Sequence, residues 1–360
     1  RGLTLRPLSA GPGPAAPMGR SFVGAQASVG LRLFVLAAGL LPVAGGYDHS
    51  PYTAVEHRLV GLAAAARNHA TPHLAGNWNS TGLAKWHWRY AYPGGNATGD
   101  HVVQGAAECD LTDPRKVVIV YMRMTSNARE SAMLQTFENA LHERGLAPAH
   151  RFTTCFLEPV FTVQCDRSRR CIDKFKEGVM AKLAFSYDVL SRMAPNGRLL
   201  FLDTDTAALD SLSRLLPTLD STVDLVHMAE DPGSPQFANT GVYLVRRNAD
   251  SLRFFSMLLT LMFYDGAEGG PGFHDQSWIN FMFVHLTTGV GAAPLRHKSF
   301  AWDLVGAPKG GNVDCKPAVY HAIYTRDYEE KHAWQQNAYA KTAKCARETP
   351  APKRALRRRL

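Results

Sequence analysis

Two aspartates separated by one threonine, Asp203 and Asp205, end the apolar run Leu199-Leu200-Phe201-Leu202. Side by side, two carboxylates cannot both stay ionised without a cation or strong donors between them. Oxygen ligands of this kind suit Mg²⁺ or Mn²⁺, with phosphate oxygens and water completing the shell. A metal-bound diphosphate is the natural guest. Asp-x-Asp is also a common surface-turn triplet, so the chemistry depends on the elements that place it.

Those elements follow an α/β pattern. KVVIVYM (116–122) is a continuous apolar run of the kind buried parallel strands show. The stretch 128–145 puts Met133, Phe137 and Leu141 on one helical face and stops at Gly145. Residues 172–193 predict a long amphipathic helix, with Phe175, Val179, Leu183, Tyr187 and Leu190 on one side. After the turn residues Asn196-Gly197, RLLFL (198–202) is a second buried strand that runs straight into Asp203. A helix over 207–216, strands over 223–228 and 241–246, and a helix over 249–264 follow; a Gly-rich loop (266–272) precedes another helix starting near Asp275. Alternation of this kind predicts a layered α/β domain, whose ligands bind beyond the carboxyl ends of the strands. There is no internal repeat.

The 360 residues carry a net charge of +9, and its position matters more than its size. Residues 1–44 hold Arg1, Arg6, Arg20 and Arg32 and no acid, and 346–360 end in a basic tail. The interval between them has 30 basic and 30 acidic residues. A neutral body argues against a nucleic-acid cleft. Taking Met18 as the start, 33–44 (LFVLAAGLLPVA) is shorter than the about 20 residues a membrane span needs and matches a secretory h-region. The expectation for 1–46 is therefore a preface plus a cleaved signal peptide or a short signal anchor, the only membrane contact. Sequons at Asn79 and Asn96 and six cysteines agree with the secretory pathway, the Golgi lumen foremost. No CxxC favours zinc, and nothing in the spacing selects a disulfide pairing, Cys165 with Cys171 being one choice. Residues 47–111 predict an irregular, Trp-containing stem, 112–345 the catalytic domain and 346–360 the tail.

Four blocks in order resemble the GT-A nucleotide-sugar glycosyltransferases, in particular the retaining branch with glycogenin-like and galactosyl- or xylosyltransferase-type enzymes. They are AKLAFSYDVLSRMAPNGRLLFLDTDTAAL (181–209), FANTGVYLVRRN (237–248), HDQSWIN (274–280) and VYHAIY (319–324). The resemblance spans 117–324. It implies a GT-A, Rossmann-like α/β/α sandwich with a mixed, mostly parallel sheet. It also implies transfer of a sugar from a nucleoside-diphosphate-sugar to a hydroxyl of a glycan or glycoprotein, by the retaining reaction's same-face attack. Position by position, Asp203, Asp205 and His321 are implied to hold the metal, with Mn²⁺ ahead of Mg²⁺ because a neutral imidazole suits it better. Asp203, Asn239, Gly241 and Thr125 would contact the donor. Lys182, Asp275 and Gln276 would serve the chemistry, the last two near the anomeric carbon.

Each residue has a plainer role as well: Lys182 a solvated helix lysine, His321 a core histidine, Asn239 and Gly241 a strand entry, Asp275 a helix cap. Asp231 is either a sugar ligand or a turn residue. Where the family has Gly and Lys after the late His, this chain has Ala322-Ile323-Tyr324, so Arg326 or Lys331 would replace that lysine. Two other functions fit the same Asp pair or fold, a metal-dependent nucleotide-sugar phosphohydrolase and a non-catalytic carbohydrate-binding protein. No GxGxxG or P-loop motif supports a dinucleotide enzyme or a P-loop NTPase.

Overall fold

The computed structural model describes residues 84–92, 95–103, 109–123, 128–158, 169–267, 275–286, 295–325 and 327–348. Contacts separate residues 1–57, outside that set, from the unit 58–360 to which everything below belongs. An antiparallel hairpin comes first, Ala84–Tyr92 (β1) with Gly95–Val103 (β2), Tyr92 opposite Gly95. It lies within the stretch 47–111 for which an irregular stem was expected. Aromatic residues at every second position (Trp86, Trp88, Tyr90, Tyr92) followed by Pro93-Gly94 are strand and turn chemistry in that stretch.

The apolar runs become neighbours in one six-stranded sheet. Val117–Met122 (β3) lies parallel between Phe152–Leu157 (β4) and Arg198–Leu202 (β5). Three more strands complete it: Leu225–Ala229 (β7), Ala238–Arg246 (β8) and His297–Ser299 (β9), giving the order β4-β3-β5-β8-β7-β9. β8 runs against both its neighbours and the other five share one direction, so the sheet is mixed and mostly parallel, as expected.

Helices cover both faces. Ala128–Ala140 (α1), closing in a π turn at Leu141–Gly145, packs Leu134, Phe137 and Leu141 against Ile119, Tyr121 and Leu200. Arg169–Arg192 (α2), Ala249–Ala267 (α3) and Asp275–Leu286 (α4) pack together on the other face. There Phe201 and Tyr243 stack at 5.0 Å, and Tyr243 meets Phe255 of α3. The result is an α/β/α sandwich. A Cys109–Cys155 disulfide ties the segment before β3 to β4, and Cys315 is also disulfide-bonded; the Cys165 to Cys171 pairing lies outside the described side chains.

Two differences bear on the site. The helix expected over 207–216 is instead a strand, Thr206–Ala208 (β6), followed by a 3₁₀ turn, Leu212–Thr218. β6 pairs with Val319–His321 (β11), which also takes Val305–Gly306 (β10), so a distant partner overrides the helical tendency of Ala-Ala-Leu. A helix for which the sequence offered no signal, Tyr328–Glu348 (α5), packs on α1 and runs into the stretch expected to open the basic tail.

Candidate active site

Sheet direction explains why distant residues meet. β5 and β7 end at the same edge, and β8, running the other way, begins there, so Asp203, Glu230 and Asn239 all emerge together. Asp203 N–H donates to Gly241 O at 2.7 Å, tethering the exit of β5 to β8. Thr206 turns the chain back, its N–H and hydroxyl both donating to Asp203 O. Thr206 is also the register partner of His321. Consequently one ligand atom each from Asp203, Asp205 and His321 lies within 4.8 Å of the others.

Gly241 makes this assembly sterically feasible. A Cβ there would lie 2.0 Å from His321 Cε1 and 2.6 Å from Nε2, so only glycine leaves room for the imidazole. The role expected of Gly241 was close approach to a sugar; what it touches is His321.

Asp205 is buried, with Oδ1 2.9 Å from His321 Nε2 and Oδ2 2.5 Å from Lys331 Nζ. Burial alone would raise its pKa, but His321 and Lys331 reverse this and hold the carboxyl well below the usual range. Asp203 goes the other way: burial and the neighbouring Asp205 push it up against the pull of Lys182. Lys331 is thus the residue of the two named that reaches the site, whereas Arg326 lies outside the described residues. One turn on, the buried Gln335 donates to the carbonyls of Thr204 and Thr206, gripping the backbone on both sides of Asp205.

Lys182 is not a solvated helix lysine. Its Nζ is buried 3.1 Å from Asp203 Oδ1 and 3.0 Å from Asp275 Oδ2, and 4.7 Å above the Phe201 ring. Burial would lower its pKa, but Asp203 and Asp275 outweigh that and raise it, so the ammonium persists at every physiological pH. Asp275 opens α4, which is clamped to β8 because the Asn280 side-chain amide accepts from Ala238 N–H and donates to Ala238 O.

Glu230 joins the remaining candidates. Its Oε2 accepts from Asn239 Nδ2 at 3.0 Å and from Gln276 Nε2 at 2.7 Å. Sequence reasoning considered its neighbour Asp231, which accepts from Gly233 N–H and so fills the turn role. The signal for Glu230 was its place as the first residue after a buried strand ending at the ligand edge. Gln335 is the other residue missed. Thr125 lies outside the described residues.

No family model matches the sequence, and no curated protein does. Similar solved structures include a glycosyltransferase involved in the glycosylation of the major capsid of PBCV-1, at 12% identity over 61% of this chain and 98% of that one, TM-score 0.42. Mouse xyloside xylosyltransferase 1 follows at 11% over 58% and 97%, TM-score 0.37. The galactosyltransferase LgtC with donor and acceptor sugar analogs is at 14% over 66% and 98%, TM-score 0.37. All three are glycosyltransferases.

The residues present fit a divalent metal. Among the described residues, Asp205 Oδ1 and His321 Nδ1 are buried without an aligned hydrogen-bond partner. Buried polar atoms are rarely left so in a finished fold. Two carboxylates and an imidazole form a donor set for Mn²⁺, or for Mg²⁺ if the imidazole stays out of the shell.

Proposed function

We propose that this protein is a metal-dependent glycosyltransferase that moves a sugar from a nucleoside-diphosphate-sugar to a hydroxyl of a glycan or glycoprotein, with retention. The observation that carries this is the convergence of Asp203, Asp205 and His321 within 4.8 Å at the ligand edge of the sheet, flanked by the buried Lys182–Asp275 pair. Asp203, Asp205 and His321 would hold Mn²⁺, which when bound supplies charge stabilisation to the departing diphosphate.

The chain's own residues do the rest. Lys182 bridges Asp203 and Asp275 and holds the two carboxyl groups fixed relative to one another. Glu230 orients Asn239 and Gln276 toward the donor sugar, and Asp275 with Gln276 line its anomeric side. Lys331 adds positive charge where the diphosphate would lie, and the acceptor hydroxyl is held for attack on the face the diphosphate leaves. Thr125, after β3, would lie toward the nucleotide.

Residues 1–46 act as the targeting segment and 112–345 as the catalytic domain of a protein working in the secretory pathway, with the Golgi lumen as its site. The Cys109–Cys155 disulfide and the two sequons support that compartment. Among the described residues no helix is long and apolar enough to cross a membrane.

The test is a panel of nucleotide-sugars with Mn²⁺, scored for diphosphate release with and without candidate glycans. The expected result is metal-dependent release with a glycosylated product, lost in Asp205→Ala. Release without product would instead identify a phosphohydrolase, and binding without turnover a carbohydrate-binding protein. Undiminished turnover in Asp205→Ala would remove the metal assignment.

A further inference from the structure

The two oxygens of Asp205 face different ways. Oδ1 looks toward His321 and Asp203, while Oδ2 carries the ammonium of Lys331. That lysine is held in place. It stands one helical turn before Gln335, whose amide grips the carbonyls of Thr204 and Thr206, so one face of α5 takes hold of the Asp205 loop at two points. The helix is itself anchored: Arg144 lies 3.7 Å over the Tyr339 ring and donates to Thr342 Oγ1, and His332 Nε2 is 2.9 Å from Thr136 Oγ1. Gly311 lets α5 approach, since a Cβ there would meet Trp334 O at 2.1 Å.

Charge follows from position. Three carboxyl groups, Asp203, Asp205 and Asp275, face two ammonium groups, Lys182 and Lys331, and Lys331 stands on Asp205. A dication entering beside Asp205 meets a cation already on that carboxylate, and at such separations in a half-buried site like charges repel strongly.

We infer that Lys331 is a fixed countercharge that weakens divalent-metal binding at Asp203, Asp205 and His321 in the free enzyme. The metal then binds well only together with a diphosphate, whose negative charge both cations share. This rests on the metal reading above.

The experiment is Mn²⁺ binding to the full chain without donor, by calorimetry or by the paramagnetic resonance of free Mn²⁺. Lys331→Met and Lys331→Gln should each bind Mn²⁺ at least about tenfold more tightly than wild type. Lys331→Arg, which keeps the charge, should stay within about twofold. Lys344→Met, removing an exposed charge from the same helix, should change nothing. Equal or weaker binding by both neutral variants overturns the inference, as does equal tightening by Lys344→Met. Asp205→Ala separates the two ideas: if it abolishes wild-type binding while Lys331→Met and Lys331→Gln are flat, the metal site stands and only the role of Lys331 falls. If neither wild type nor Lys331→Met and Lys331→Gln binds Mn²⁺, the metal reading falls and takes this inference with it. Should Lys331→Met fail to fold, the Gln and Arg variants still decide the matter.

Discussion

Asp224 and Asp205 are both buried aspartates beside a basic side chain, yet their surroundings differ in kind. Asp224 Oδ1 accepts from Asn248 Nδ2 and Arg296 Nη2, and Oδ2 accepts from Arg296 Nε and the Arg296 N–H. Nothing is left over. At Asp205, Oδ1 is buried without an aligned donor although an imidazole stands 2.9 Å away. A carboxylate that serves the fold has its hydrogen bonds completed by the chain, whereas one that serves a ligand keeps coordination free.

The histidines repeat the contrast. His227 Nδ1 bonds Met228 O and its ring lies among Phe283 and His297. His321 Nδ1 has no such partner among the described residues.

The comparison breaks most sharply if Asp205 proves structural. Asp205→Ala should lower kcat/KM for the true nucleotide-sugar by at least about a thousandfold, about 4 kcal/mol, in protein that still folds. An undiminished kcat/KM would mean that the two aspartates do the same job. Asp224→Ala should do the reverse, costing about 3 kcal/mol in urea unfolding because Arg296 and Asn248 lose their common acceptor.

His227 gives the next effect. Burial lowers its pKa to about 4, so the folded protein keeps it neutral while the unfolded chain takes up a proton below about 6.5. Stability from this residue is complete above that value and falls as the pH drops toward 4; at pH 5 the loss is about 2 kcal/mol. His227→Gln should flatten the pH 5 to 7 stability difference by that amount, and an unchanged slope would remove His227 from the account. Smallest in energy, Gly241→Ala should weaken Mn²⁺ binding by about tenfold or more by displacing the imidazole, about 1.4 kcal/mol. In a His321→Ala background the same substitution should cost nothing further.

Legibility in the sequence follows the range of the interactions. Asp203, Asn239 and Asp275 each sit at the border of a long apolar or helical pattern, and those borders are visible locally. Their convergence was what the resemblance to the GT-A glycosyltransferases implied; β5 ending where β8 begins, and Lys182 between Asp203 and Asp275, bring them together. β6 and β11 have three residues each, too few for any periodicity, so the strand carrying Thr206 passed for helix. α5 is hidden for another reason: its buried positions include Gln335, Ala338 and Thr342, a face of small and polar residues. Hydrophobic spacing cannot reveal a helix that packs by hydrogen bonds. Glu230 escaped because its partners, Asn239 and Gln276, come from two other elements.

The ladder between β6 and β11 sets Thr206 opposite His321 and Ala207 opposite Tyr320. Successive side chains on a strand point to opposite faces, so a slip of one residue would offer the metal loop a tyrosine or an alanine. The loops between Asp205 and His321 can therefore lengthen or shorten in evolution without displacing the histidine, provided the three paired residues keep their register. A spacing rule written along the sequence would miss the relation that matters here, which is counted across strands.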